Sequence, residues 1–208
     1  MLRRDERRDG RHVTCTVVVV VGLTGGIGAG KTTFAGLLAA RGAEVIEVDA
    51  IGRAVIEPGT AGATAVKERF GTTDRRELAR LVFADPGARH DLEAISWPLI
   101  EDRLRELVAA STAGVVVLDM AVLPQGLGSG IYGPVVTVEA AEETRLERLV
   151  ARGMGADDAR ARMKAQTEER DRRAIAQYVI VNDDGIAALT AEADRLMDDL
   201  RDPGGPQA

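Results

Sequence analysis

The sequence predicts an α/β fold, a parallel five-stranded sheet flanked by helices, and three observations predict it. Short β-branched apolar runs recur at residues 17–21, 45–48, 115–118, 135–138 and 179–181. Runs that are apolar on both faces suit strands of a parallel sheet covered by helices on both sides. Helical patterns separate these runs, and alternation of strand and helix points to a doubly wound sheet. The first run also breaks into glycines, "GLTGGIGAGKTT", and a helical pattern follows at once.

Size and charge set bounds on this reading. The chain has 208 residues, 45% of them hydrophobic, enough for one α/β domain with small inserted subdomains. Its 27 basic and 33 acidic side chains leave a formal net charge of -6. That balance gives no support to a general nucleic-acid-binding surface, but it leaves room for a local basic pocket around a phosphorylated ligand. The single cysteine, Cys15, can form no intramolecular disulfide and suits a reducing cytoplasm. It is expected to be a small buried or strand-edge residue. Residues 17–21 are too short a run for a membrane span, and Lys31 with the helix beyond it argues against a cleaved leader. The expected protein is cytoplasmic, with no nucleic-acid or membrane partner, and its oligomeric state is open.

Taken in order, residues 1–12 are mixed in charge and read as a frayed arm. The first strand then feeds Gly25, four residues, Gly30, Lys31 and Thr32, the pattern of a phosphate-binding loop. Glycines let the backbone curl so that its N–H groups point at phosphate oxygens. The following helix adds its positive N-terminal end. Lys31 would reach the β and γ phosphates, and the Thr32 hydroxyl would ligate a bridging Mg²⁺. The alternative, a glycine-rich turn with a chance lysine, is weakened by the strand before the loop and the helix after it.

The second strand ends at Asp49. Residues 50–111 then carry mainly helical patterns, clearest in "RRELARLVF" and "PLIEDRLRELVAA". Asp119 ends the third run, "VVVLD", where two readings stand level: holding a water on Mg²⁺, or capping the next turn. After the fourth run comes "ETRLERLVARGMGADDARARMKAQTEERDRRA", helical, rich in arginine and broken at Gly153 and Gly155. Its charges also suit a solvated helical face. The tail, residues 201–208, is expected to be loose.

The loop does not name the phosphate acceptor. Switch GTPases, ATPase motors and small-molecule kinases share it. The chain lacks the guanine-reading Asn-Lys-x-Asp and is short for a motor domain. A small-molecule kinase needs an acceptor region and a lid, and the two helical insertions supply candidates for both.

At "GLTGGIGAGKTT" the sequence resembles the dephospho-CoA kinases. The resemblance continues through "VIEVDAIGRAVIEPGTAG", "DRRELARLVFADP", "PLIEDRL", "RLERLVARGMGADDARARMKAQ" and "YVIVN", in family order over residues 17–182. It implies a P-loop kinase fold with a nucleotide-binding core at residues 13–49, 112–140 and 176–200. It implies an acceptor-binding helical region at 50–111 and a lid at 141–175. The family reaction moves the γ-phosphoryl group of ATP to the ribose 3′-hydroxyl of dephospho-CoA, with Mg²⁺. Carried over by position, Gly25, Gly26, Ile27, Gly28, Ala29, Gly30, Lys31, Thr32 and Thr33 match the nucleotide loop. Asp49 matches the acidic residue beside the acceptor hydroxyl, where a carboxylate can take or orient a proton. A helix N-cap is its ordinary alternative. Arg53 and Glu57 match the segment that follows. Arg148 and Arg152 fall on the lid helix, where guanidinium groups can close over phosphates. Surface charge is the alternative for each. Arg162 and Gln166 match an arginine–glutamine pair after the lid, and Asn182 matches an asparagine near the adenine.

Four departures from the family pattern stand out. Trp97-Pro98 replaces His-Pro, and residues 121–125 read Ala-Val-Leu-Pro-Gln where the family has Pro-Leu-Leu, an apolar residue and Glu. Ala176-Gln177 replaces Ala-Asp, and only Thr72 and Thr73 separate "ERFG" from Asp74. Three of the four lie in or beside the acceptor region, which puts Trp97 and Gln125 among the candidate acceptor contacts. Changed polar groups change the preferred substrate, and neutral drift is the competing explanation. Besides the family reaction, two readings remain: a paralogue phosphorylating another nucleoside or nucleotide sugar hydroxyl, and a non-catalytic nucleotide-binding regulator.

Overall fold

The computed structural model describes residues 18–121 and 130–202. Cys15, Gln125 and the expected arm and tail at 1–12 and 203–208 lie outside them. Among the described residues there are five strands, all parallel, in the order β2-β3-β1-β4-β5. They are β1 (Val19–Gly25), β2 (Glu44–Glu47), β3 (Val115–Asp119), β4 (Val135–Glu139) and β5 (Tyr178–Val181). Parallel strands need crossovers, and helices make them. The helices are α1 (Lys31–Ala39), α2 (Val48–Ala54), α3 (Ala61–Phe70), α4 (Arg75–Ala84), α5 (Pro86–Ala110), α6 (Glu142–Ala151), α7 (Ala156–Lys164), α8 (Glu169–Ile175) and α9 (Ile186–Arg201).

Each face of the sheet has its own core. On one face, Val21, Leu23, Val117, Val136 and Val138 pack with Phe34 and Leu38 of α1 and Leu189, Leu196 and Met197 of α9. On the other, Val116 and Leu118 pack with Val48 and Ile51 of α2 and Ile100 and Leu104 of α5. Each fully buried Leu or Phe side chain here contributes roughly 1.5–3 kcal/mol. Burial on both faces is why the strands read as unbroken apolar runs. No helix among the described residues is long and apolar enough to cross a membrane.

The boundaries shift where pairing or capping outweighs pattern. β1 continues through Gly22 to Gly25, beyond the valine run, because β4 pairs with it there. A Cβ on Gly25 would collide with the Val138 carbonyl oxygen, so glycine lets the two strands lie together. β2 stops at Glu47, and Val48, expected in the strand, begins α2. α5 starts at Pro86, far ahead of Pro98. Asp85 caps it by accepting from Gly87 N at 2.8 Å, and proline is pre-set for the first helical turn. Pro98 therefore lies inside the helix, where it removes one backbone donor. The arginine-rich stretch breaks at Gly153, which has φ +88°, and again at Thr167 between α7 and α8. Arg201, expected in the loose tail, is the last residue of α9.

Candidate active site

Because all five strands are parallel, their C-terminal ends share one edge. β1 ends in the glycine loop, β2 leads to Asp49, β3 ends at Asp119, and β5 leads to Asn182. β1 lies between β3 and β4, at the point where the chain order reverses direction, the usual ligand crevice of open α/β sheets.

The loop from Gly25 to Thr33, Ala29 excepted, lines a cleft of about 310 Å³, edged by Ala121, Arg152 and Gln166. Gly28 and Gly30 have φ of +82° and +99°, in the left-handed region where a side chain is strained. Gly30 is the N-cap of α1 and has no side chain to cap it, so the helix presents its positive end to the cleft. The Lys31 ammonium forms an ion pair with the Asp119 carboxylate. Thr32 is exposed at the rim. A hydroxyl and a carboxylate beside a phosphate nest suit Mg²⁺, which is held by one or two protein oxygens plus phosphates and water. No group of three or more His, Cys, Asp or Glu able to hold a metal occurs among the described residues.

The loop is gripped from behind. Arg145 Nε donates to Ile27 O at 2.8 Å, and Gln166 Oε1 accepts from Ile27 N at 2.8 Å. Asn182 Nδ2 donates to Ala29 O at 2.7 Å. Arg148 Nη2 donates to Asn182 O at 2.9 Å, and its Nη1 lies 3.4 Å from Ala29 O. Arg148 thus meets backbone carbonyls, whereas Arg152, the C-cap of α6, is exposed and lines the cleft. Burial, and then the cation of Arg172, hold the Arg145 guanidinium below the ordinary arginine pKa.

A second cavity of about 200 Å³ lies beside the first turn of α2, lined by Asp49, Arg53, Trp97, Ile100 and Met120 among others. Asp49 is exposed, two residues beyond the N-cap Glu47. Trp97 is half-buried and packs against the α2–α5 core. Glu47, Asp119 and Leu23 pair in one row across β2, β3 and β1. Two strand spacings, roughly 10 Å, thus separate the end of β2 from the loop strand.

The structure brings together Asp49, Arg53 and Trp97, and separately the loop, Lys31, Thr32, Asp119, Arg152 and Gln166. Gln166, expected with the acceptor, lies at the phosphate cleft. Glu57 is exposed, 3.4 Å from Arg75. Arg162 is exposed on Asp158 at 3.1 Å. Neither lines the Asp49 cavity. Gln177 Oε1 accepts from Val135 N at 2.7 Å, joining β5 to β4 at the opposite end of the strands. A carboxylate would accept equally well, so this departure leaves the site untouched.

Two functional neighbours escaped sequence reasoning. Arg145 shares a helix face with Arg148 and Arg152, and that three-then-four spacing was the available signal. Glu139, fully buried at the end of β4, pairs with Arg172 through bonds of 2.7 and 2.6 Å and accepts from Thr137 Oγ1 at 2.6 Å. A carboxylate closing an apolar strand must find a cation.

Known proteins are similar to this chain in sequence and in fold. A family model described as CoaE, dephospho-CoA kinase, matches residues 19–188. A dephospho-CoA kinase of Frankia casuarinae is 44% identical over 189 residues, covering 86% of this chain and 82% of the relative. One of Streptomyces avermitilis is 45% identical over 190 residues, covering 86% and 93%. A solved Thermus thermophilus protein superposes with a TM-score of 0.77 at 31% identity, covering 89% of this chain and 99% of its own. A solved dephospho-CoA kinase from Campylobacter jejuni, at 20% identity and a TM-score of 0.63, covers 87% and 96% and shares the fold.

Proposed function

The chain belongs to the dephospho-CoA kinase family, and on that premise we propose that it transfers the γ-phosphoryl group of ATP to the ribose 3′-hydroxyl of dephospho-CoA, releasing CoA and ADP. The observation that carries this is the placing of two cavities on one sheet edge, a phosphate loop in one and Asp49 in the other. The loop amides and the α1 N-terminus bind the phosphates of ATP. Lys31, held by Asp119 beforehand, turns to the β and γ phosphates. Asp49 takes or orients the proton of the 3′-hydroxyl as its oxygen attacks phosphorus and the bond to the ADP oxygen breaks. Arg152 offsets charge on the transferring group. Mg²⁺, held through Thr32 and Asp119, would supply neutralisation of the β and γ oxygens.

On the acceptor side Arg53 and Trp97 bind the ligand beside Asp49, with Glu57 and Arg162 joining on closure of the helical regions and Gln125, outside the described residues, as a further acceptor contact. Residues 50–111 act as the acceptor region and 141–175 as the lid around the core. The single cysteine supports a cytoplasmic setting. The test is a competition assay. Dephospho-CoA and a panel of nucleosides and nucleotides are offered at equal concentration with ATP, and products are identified by mass. The expected product is 3′-phosphorylated CoA. A phosphorylated nucleoside in its place would make the chain a paralogue with another acceptor, and no acceptor-dependent ADP release would make it a binder.

A further inference from the structure

We propose that Arg145, Arg148 and Asn182 are positioning residues that aim the amides of Gly28 and Gly30 at the terminal phosphates of the nucleotide; this rests on the nucleotide reading of the loop. A trans peptide unit is planar, with its C=O and N–H pointing opposite ways, and no described peptide bond is cis. Whatever pulls a carbonyl one way turns the next residue's amide the other way. Arg145 Nε holds Ile27 O at 2.8 Å, so Gly28 N–H points away from α6. Asn182 Nδ2 holds Ala29 O at 2.7 Å, so Gly30 N–H points away from the end of β5.

The surroundings agree on both counts. Gly28 and Gly30 line the phosphate cleft, while Ala29 and the three gripping side chains do not. Neither glycine N–H meets an acceptor among the described residues, whereas their neighbours are taken: Ile27 N by Gln166 at 2.8 Å and Ala29 N by Gly26 O at 3.0 Å. Two amides aimed inward from left-handed glycines, one residue apart, leave a concavity of N–H donors that suits an anion. The fit behind the loop is tight. A Cβ on Gly26 would lie 2.7 Å from the Arg145 guanidinium carbon, and one on Gly30 would collide with the Asn182 amide. Arg148 completes the brace, since its bond of 2.9 Å to Asn182 O ties that residue down. A planar guanidinium suits the task because its donors leave in fixed directions.

The competing view is that these side chains only staple α6 to the core. The two views differ in which nucleotides suffer. AMP lacks the β-phosphate that the aimed amides hold. In full-length protein, calorimetric titration of ADP and AMP into Arg145→Lys, Arg148→Lys and Asn182→Asp should show ADP binding weakened by about ten- to a hundredfold, the range of a lost bond to a charged group. AMP binding should weaken much less than ADP binding, and the KM for dephospho-CoA should stay within about twofold. Equal weakening of AMP and ADP, or undiminished ADP binding by folded Arg148→Lys and Asn182→Asp, would overturn the brace. If the buried Arg145 variant does not fold, the half-buried Arg148 variant decides. Wild-type protein that binds no ADP would overturn the nucleotide reading and the brace together, whereas a failure confined to the variants overturns only the brace.

Discussion

The phosphate loop and the Asp49 cavity leave the same sheet edge but are made of different material. The loop offers backbone amides, and buried side chains from α6 and from Asn182, just beyond β5, hold its carbonyls. The cavity offers the side chains of Asp49, Arg53 and Trp97, carried on α2 and on α5. Behind the loop, Arg172 and Glu139 form an ion pair with side chains 7% and 1% exposed. On the side of the proposed acceptor region, Glu57 and Arg75 meet at 3.4 Å with side chains 59% and 60% exposed. Every nucleotide triphosphate presents the same oxygens, so a rigid backbone nest suits the donor. An acceptor has a particular shape, and side chains on surface helices can be exchanged to fit it without disturbing the core.

The largest effect should come from the loop itself. Lys31→Ala should lower turnover by about 10³-fold or more, since it removes the charge proposed to meet the phosphates. The protein should stay folded, because neither Lys31 nor its partner Asp119 belongs to the apolar cores. A folded variant with ordinary turnover would end the contrast between the two regions.

Stability should divide in the same way. Glu139→Gln leaves the buried Arg172 cation without its counter-charge and should cost about 3 kcal/mol in urea unfolding. Glu57→Gln should cost between about 0 and 1 kcal/mol, the usual worth of an exposed pair. Similar losses in both variants would show that the donor side is no more tightly specified than the acceptor side.

Asp49→Asn keeps the shape of the side chain but removes its capacity to take a proton. General-base help is typically worth about 10²–10⁴-fold. The expected loss of kcat is near the low end, about 10²-fold, because Asp49 is exposed and water can serve in its place. The KM for ATP should change little. Loss of ATP binding with turnover retained would assign Asp49 to the metal instead. Arg152→Ala should follow with about a tenfold loss of kcat and a modest change in ADP affinity, since its exposed guanidinium meets the phosphates late. An unchanged kcat would leave the lid with no part in the chemistry.

How much of this was legible in the sequence follows from the same division. Residues 25–33 could be read because a glycine loop between a strand and a helix constrains backbone conformation, and only a few residue types satisfy it. The strands were legible because both of their faces are buried. The brace was not. Arg145 and Arg148 are two arginines in a stretch full of them, and their targets are backbone carbonyls, which leave no mark on composition. Asn182 had a position by resemblance, but its hold on Ala29 O appears only in three dimensions. The clearest helical pattern in this region, "PLIEDRLRELVAA", covers only the second half of α5; its start is marked by Asp85-Pro86, a cap followed by a proline at the first helical position.

The smallest effect concerns Trp97, and it sharpens the comparison most. Its indole lines the Asp49 cavity and also packs against the α2–α5 core, so both acceptor contact and packing are open to it. A flat ring can stack on a base, while an imidazole, the group the family usually carries here, is smaller and can also titrate. Base stacking on an aromatic ring is worth about 1–3 kcal/mol when the ring is removed altogether. Trp97→His keeps a ring, so the KM for the acceptor should rise only about two- to fivefold, with kcat and the KM for ATP unchanged. A loss of thermal stability with the acceptor KM unmoved would make Trp97 a core residue that happens to border the cavity. A lower KM for dephospho-CoA in the histidine variant, with a higher one for competing nucleosides, would show that this single exchange tunes acceptor choice while the braced loop on the other side of the site stays as it is.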